Sequence, residues 1–114
     1  MAKVLSDFLI EAKKVIEDSE KWTQGWFAKD IEGNCVSAIW YGAKCFCSLG
    51  AIERVAGIEL GDAPDCSLSD CAHAALSEAM GGSVDEFNDS HTHEEVMEKW
   101  DQAIKDALKE ESEE

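Results

Sequence analysis

The side chains best suited to chemistry here are five cysteines, at 35, 45, 47, 66 and 71, and three histidines, at 73, 91 and 93. Cys66, Cys71 and His73 with His91 and His93 place two sulfurs and three imidazoles within 28 residues. That spacing fits no zinc pattern: there is no C-x-x-C, and His91 and His93 are only two apart. On the competing reading Cys71 is a core residue, while His91 and His93 sit in the loop before the last helix. The expectation is no bound metal and no cofactor. Cys47 would be a nucleophile only with a histidine beside it, since a thiol buried among apolar groups is inert. No G-x-S-x-G elbow and no G-x-x-x-x-G-K-[ST] phosphate loop occur; Gly81-Gly82-Ser83 is a helix stop.

A second candidate is polar and aromatic. Trp22, Trp26, Phe27, Trp40 and Tyr41 supply five of the nine aromatic residues. Gln24 and Asn34 lie among them, and Asn88 and Asp89 mark another irregular break. Binding groups on helical scaffolds concentrate in such segments. A pocket walled by Trp22 and completed by Gln24, Asn88 and Asp89 suits a small polar ligand. Equally, the tryptophans fill a small core and Asn88 and Asp89 end a helix.

These residues need elements to position them. Residues 3–18 carry Val4, Leu5, Phe8, Leu9, Ala12, Val15 and Ile16 on one helical face. Residues 19–37 lose that period, and Asp30-Ile31-Glu32-Gly33-Asn34 is a turn signal. A small hairpin is expected there, with Gly33 at positive φ. Ala38–Ala56 is apolar around most of its girth and predicts a central buried helix, stopped by Gly57. On that helix Cys45 and Cys47 point about 200° apart and cannot share a metal or a disulfide. Gly42 and Gly50 admit a close neighbour. Residues 57–66 read as a loop around Pro64. A third helix begins at Ser67 or Ser69 and runs to Met80, with Cys71, Ala74, Ala75, Leu76 and Ala79 apolar. Ser83-x-x-Glu86 predicts a capping box on one turn, Val84 to Phe87, broken by Asn88-Asp89-Ser90. Thr92-x-x-Glu95 predicts a second box, opening a helix from His93 to about Leu108.

The expected fold is mainly α: one compact domain over residues 1–109, of about four helices, with a small β-hairpin or irregular insert after the first helix. Residues 110–114 are expected to fray as an acidic tail. Its 114 residues suffice for one self-contained core.

Charge narrows the function classes. The net charge is -15, and residues 1–58 contribute 8 acidic against 7 basic side chains. Residues 59–114 contribute 17 acidic against 3 basic, so that half stands at -14. Such a chain has no attraction for nucleic-acid phosphates or anionic lipid. It contains no apolar run of membrane-spanning length, and Met1-Ala2-Lys3-Val4 begins no secretory signal, so a cytoplasmic setting is expected. The acidic half serves solubility or docks on a basic partner.

Three segments in order carry a resemblance: Trp22-Thr23-Gln24-Gly25 with Ala28, Asp30 and Gly33; Cys47-x-x-Gly50-Ala51; and Phe87-Asn88-Asp89 leading to Thr92 and a terminal helix. Together, over about residues 5–108, they look like a small uncharacterised domain family of bacterial and phage genomes. This chain departs from that pattern in Phe46, where a Trp often precedes the Cys. The resemblance implies a shared fold, and a small-molecule or partner site at Gln24, Cys47, Asn88 and Asp89. It implies no reaction.

Two functions are therefore expected to compete. The first is a non-enzymatic protein-interaction module of bacterial or phage origin, engaging a partner with a basic surface, as an inhibitor or a nucleic-acid mimic. Glu94, Glu98 and Asp101 offer a carboxylate array, which Lys99 and Lys105 interrupt. The second is a small-molecule-binding domain or small enzyme with its site at Gln24, Cys47, Asn88 and Asp89. An exposed Trp22 or Trp26 would also serve a homodimer.

Overall fold

The computed structural model describes residues 5–59 and 67–112. Cys66, weighed above as a metal ligand, and most of the loop around Pro64 lie outside them, as do residues 1–4, 113 and 114. Among the described residues five α-helices surround one core: α1 (Leu5–Ile16), α2 (Ser48–Glu59), α3 (Ser67–Met80), α4 (Val84–Ser90) and α5 (His93–Ser112). Between α1 and α2 lie a 3-10 turn, Ser19–Lys21, and three short strands. The strands are β1 (Ala28–Lys29), β2 (Cys35–Val36) and β3 (Cys45–Phe46), in the antiparallel order β2-β1-β3. Ala28 faces Val36 on one side and Phe46 on the other.

The core follows the amphipathic faces. Phe8, Leu9, Ala12 and Ile16 of α1 meet Ala51, Ile52 and Val55 of α2 and Val96, Trp100 and Ala103 of α5. Trp100 is fully buried. α1 is also tied to α5 by polar contacts. Ser6 donates through N–H and Oγ to the Glu111 carboxylate, at 3.1 and 2.6 Å. Lys13 meets Asp101 at 2.7 Å, and that hydrogen bond holds the lysine above its ordinary pKa. Residues 110–112, expected in the acidic tail, instead continue α5.

The expected hairpin is present. Asp30 Oδ1 accepts from the N–H groups of Glu32 and Asn34 at 3.0 and 2.9 Å, and Gly33 takes φ +87°. The Asn34 bond, ahead of the others, holds the Asp30 carboxyl below its usual range. A carboxylate so lowered stabilises the turn at neutral pH, and acid removes that support. The third strand was not expected.

The helix expected over Ala38–Ala56 begins instead at Ser48 and runs through Gly57 to Glu59. Residues 38–47 are pulled away by better partners. Cys45 and Phe46 pair with β1, and Arg54 Nη1 donates to the carbonyls of Ala38 and Trp40 at 3.0 and 2.9 Å. Cys45 therefore lies half-buried on a strand, and Cys47 is buried at the helix entrance, with no helical 200° between them. Gly57 has a packing role: a Cβ there would stand 2.4 Å from Ile39 Cγ2.

Three smaller expectations also change. α3 buries Ala72, Leu76 and Met80, leaving Cys71 and Ala74 exposed, so the apolar face is rotated from the expected set. Ser83 precedes α4 without capping it, because its hydroxyl donates to Asp85. α4 runs past Phe87 through Asn88 and Asp89 to Ser90. The Thr92 box does form, with reciprocal bonds to Glu95 of 2.9 and 3.2 Å. The stop after α3 forms too: Gly81 has φ +76°, and Gly82 N–H returns to Ser77 O at 3.0 Å.

Gly50 marks the tightest approach of the insert to the helices. A Cβ added there would lie 1.8 Å from the Phe27 carbonyl oxygen. The same carbonyl accepts from Cys47 N–H at 3.1 Å, so it cannot withdraw without loss. Gly50→Ala is expected to destabilise by about 3 kcal/mol in urea unfolding. Gly82→Ala, which meets nothing within 4 Å, is expected to stay within about 0.5 kcal/mol of wild type.

Candidate functional site

Four of the five sequence candidates meet around one side chain. Asn88, on α4, is fully buried. Its Oδ1 accepts from Trp22 Nε1 at 2.9 Å and from the N–H and Oγ of Ser48 at 3.0 and 2.9 Å. Its Nδ2 donates to Thr23 O at 3.0 Å and toward Asp89 Oδ1 at 3.3 Å. Gln24 Nε2 donates to the carbonyls of Asn88 and His91, both at 3.0 Å. Asp89 Oδ1 accepts from Gly25 N–H at 2.9 Å. Trp100 Nε1 donates to Ser48 Oγ at 3.0 Å, which extends the network to α5. The insert, α2, α4 and α5 are thus joined through one amide.

Local sequence explains the arrangement. The parallel bridge of Trp22 with Phe46 and the bond from Thr23 N–H to Phe46 O, 2.9 Å, lay the Trp22-Thr23-Gln24 stretch along β3. That path points the Thr23 carbonyl and the Trp22 indole at α4. The seven residues of α4 carry Asn88 on its buried face with Val84. Among the described residues no buried side-chain nitrogen or oxygen lacks a partner. A buried polar group is costly only when unmatched, so this network is a fixed joint whose buried polar atoms are already engaged.

Cys47, the fifth candidate, lies on the other side of that joint. Its Sγ accepts from Gly50 N–H at 3.3 Å. Burial foremost, with the nearby Asp89 charge, pushes the thiol above its ordinary pKa. It stays protonated at neutral pH, which suits a packing group better than a nucleophile. Cys47 and Asp89 line a cleft of about 190 Å³ with Trp26, Phe27, Leu49 and Asp85. A pocket for a typical organic ligand measures about 300–1,000 Å³. Trp22, Gln24 and Asn88 do not line this cleft.

Sequence reasoning missed Ser48, Thr23 and Trp100 as members of the network, and Asp85, Phe27 and Leu49 as cleft walls. The signal for Asp85 was its spacing of four from Asp89, which becomes informative only once α4 runs the full distance. The histidines have structural partners. His91 stacks on Phe87 with ring centroids 3.7 Å apart, and its Nδ1 contacts the Phe87 carbonyl at 3.0 Å. His93 Nε2 contacts the Ile16 carbonyl at 2.7 Å and its ring lies 5.4 Å from that of Trp22. Cys71 and His73 are exposed on α3. Among the described residues no three His, Cys, Asp or Glu side chains gather as a metal site.

Asn88→Ala strands three buried donors and is expected to cost about 3–5 kcal/mol in urea unfolding, whereas Trp22→Phe removes one donor and costs about 1 kcal/mol. Cys47 is expected to react with iodoacetamide far more slowly than exposed Cys35 at pH 8, followed by mass spectrometry. A thiol raised in the fold stabilises it below the thiol's ordinary pKa of 9.0, and that support fades as pH rises through the raised value. Wild type should therefore lose stability above pH ~9 more steeply than Cys47→Ala.

No curated protein and no solved structure matches this chain. A family model does, over residues 2–106, and it covers the Trp22–Gly25 stretch, Cys47 to Ala51 and the Asn88 joint alike. The chain belongs to DUF6197, a family of unknown function.

Proposed function

We propose that the protein is a non-enzymatic protein-interaction module whose docking face is the insert between α1 and α2. One observation carries this reading. Of the seven large hydrophobic side chains exposed among the described residues, six fall between positions 26 and 41: Trp26, Phe27, Ile31, Ile39, Trp40 and Tyr41. Tyr41 is 86% exposed and Ile31 83%. Trp26 and Phe27 share a hollow of about 340 Å³ with Val36 and Ala38, and Ile39, Trp40 and Tyr41 continue the same loop. Apolar surface concentrated on one element, rather than scattered, is the mark of a contact region. Trp and Tyr are also the residues that most often anchor protein partners.

The surface is held in place rather than loose. Arg54 fixes the carbonyls of Ala38 and Trp40, and its guanidinium lies 5.3 Å from the Phe46 ring. A rigid aromatic face loses little freedom on docking. The acidic half, at -14 over residues 59–114, lies outside the insert and supports long-range attraction of a partner with a basic surface. The motif order supports a bacterial or phage setting, and the free thiols of Cys35, Cys45, Cys47 and Cys71 support a reducing compartment. No described helix is long and apolar enough to cross a membrane.

Nucleic-acid mimicry is less well supported. Of the carboxylates along α5, Glu95 is spent on the Thr92 cap and Asp101 on Lys13. A small-molecule reading would need the Trp22, Gln24 and Asn88 groups to leave the partners they hold.

Photo-crosslinking tests the docking face. A benzophenone amino acid at position 41 is expected to trap one heterologous protein in the native cell, and at position 102 on α5 to trap none. With that protein purified, Trp40→Ala with Tyr41→Ala should weaken binding by about tenfold or more, and added salt should weaken it further. Adducts of equal yield from both positions, or only with a second copy of this chain, would sink the reading.

A further inference from the structure

The cleft beside Asn88 lies at the border between the aromatic insert and α4, and its chemistry is one-sided. Trp26, Phe27 and Leu49 give it apolar walls, and buried Cys47 lines it between them. Asp85 and Asp89 supply two carboxylates, and among the described residues no lysine, arginine or histidine lines it. The two aspartates stand four apart on α4, which puts them one above the other on the same face. Asp89 spends Oδ1 on Gly25 N–H and Asn88, and Asp85 spends Oδ1 on Ser83. Among the described residues no hydrogen bond engages Oδ2 of either.

The walls are fixed from both sides. Gly25 N–H anchors the insert to α4 through Asp89, and the Phe27 carbonyl anchors it to the start of α2 through Cys47 N–H. A site built this way needs no rearrangement to receive a group of matching shape. Its volume, about 190 Å³, is scaled to one side chain rather than to a cofactor.

We infer that this cleft receives an arginine side chain of the protein partner, with its guanidinium between Asp85 and Asp89 and its aliphatic stem against Trp26 and Leu49. Charge complementarity selects a cation. Arginine is selected over lysine because a planar fork matches carboxylate oxygens two at a time, stacks on aromatic surface and gives up its hydration more readily. Cation–π attraction from Trp26 adds to the carboxylate contacts. The inference rests on the interaction reading above and names the chemistry of the residue that the partner presents beside its apolar contact. The aromatic face then supplies area, and the cleft supplies selection.

The test uses a peptide probe, Ac-Leu-Arg-Leu-amide, and its neutral twin with citrulline in place of arginine, titrated into the whole protein under proton–nitrogen NMR. The arginine peptide is expected to shift the Gly25 amide and the Trp26 indole saturably, with the citrulline peptide about tenfold weaker or more. Asp85→Asn with Asp89→Asn should reduce arginine-peptide affinity about tenfold, while the carboxamide oxygen introduced at position 89 still accepts from Gly25 N–H. Unchanged Trp22 and Trp100 indole signals in that variant would confirm an intact joint. Gln102→Ala, on α5 away from the cleft, should leave this binding unchanged. Equal binding of the two peptides, shifts confined to Trp40 and Tyr41, or no shift at all would overturn the inference. The docking-face reading survives those results, because it is decided separately by the crosslinks from position 41.

Discussion

A single buried carboxamide oxygen organises this protein. Asn88 Oδ1 gathers an indole N–H from the insert and both a backbone N–H and a hydroxyl from the first residue of α2. The Ser48 hydroxyl in turn receives the indole of Trp100 from α5. None of these groups could be buried alone, since each would lose its bond to water without replacement. Satisfied together, they admit essentially one relative placement of three helices and the insert. Apolar packing supplies cohesion to such a bundle, but contacts between alanines and leucines tolerate sliding. A directional network does not. The specificity of the fold therefore lies in Asn88 and its partners more than in the bulk of the core.

The same joint explains how aromatic side chains come to be displayed rather than buried. Three strands of two residues each cannot stand by themselves in water. Here they are held by Trp22 and Thr23 at one end, by the Phe27 carbonyl pressed against Gly50 in the middle, and by Arg54 under the 38–40 segment. With its backbone anchored at three places, the insert can expose Trp26, Trp40 and Tyr41 without collapsing onto them. Each anchor draws on a residue outside the insert, so the helical part acts as a rigid mount for an apolar face.

Much of this was legible in the sequence, and the failures share a cause. The hairpin turn could be read because Asp30 and Gly33 have local roles that need no tertiary partner. The Gly81 stop and the Thr92 box were legible for the same reason. The start of α2 was not legible. Ala38–Phe46 is apolar without a period, and such a run is equally compatible with a buried helix and with a strand pinned at a distance by Lys29 and Arg54. The rotated face of α3 escaped because cysteine and alanine carry too little contrast to fix a phase. The candidate cluster was partly visible: Trp22, Gln24, Asn88 and Asp89 do come together. Sequence could not show that all four spend polar groups on one another around a shared Ser48, because Ser48 was placed in mid-helix.

The link between Ser6 and Glu111 joins positions 105 residues apart, and Lys13 with Asp101 and Ile16 with His93 span nearly as far. The polar side of α1 is therefore completed by a helix that leaves the ribosome long after it. Until α5 has been synthesised, the emerging polypeptide must hold Phe8, Leu9 and Ile16 without their final cover. Its nascent form thus exposes apolar surface that the finished fold covers, and slow translation prolongs that exposure rather than relieving it.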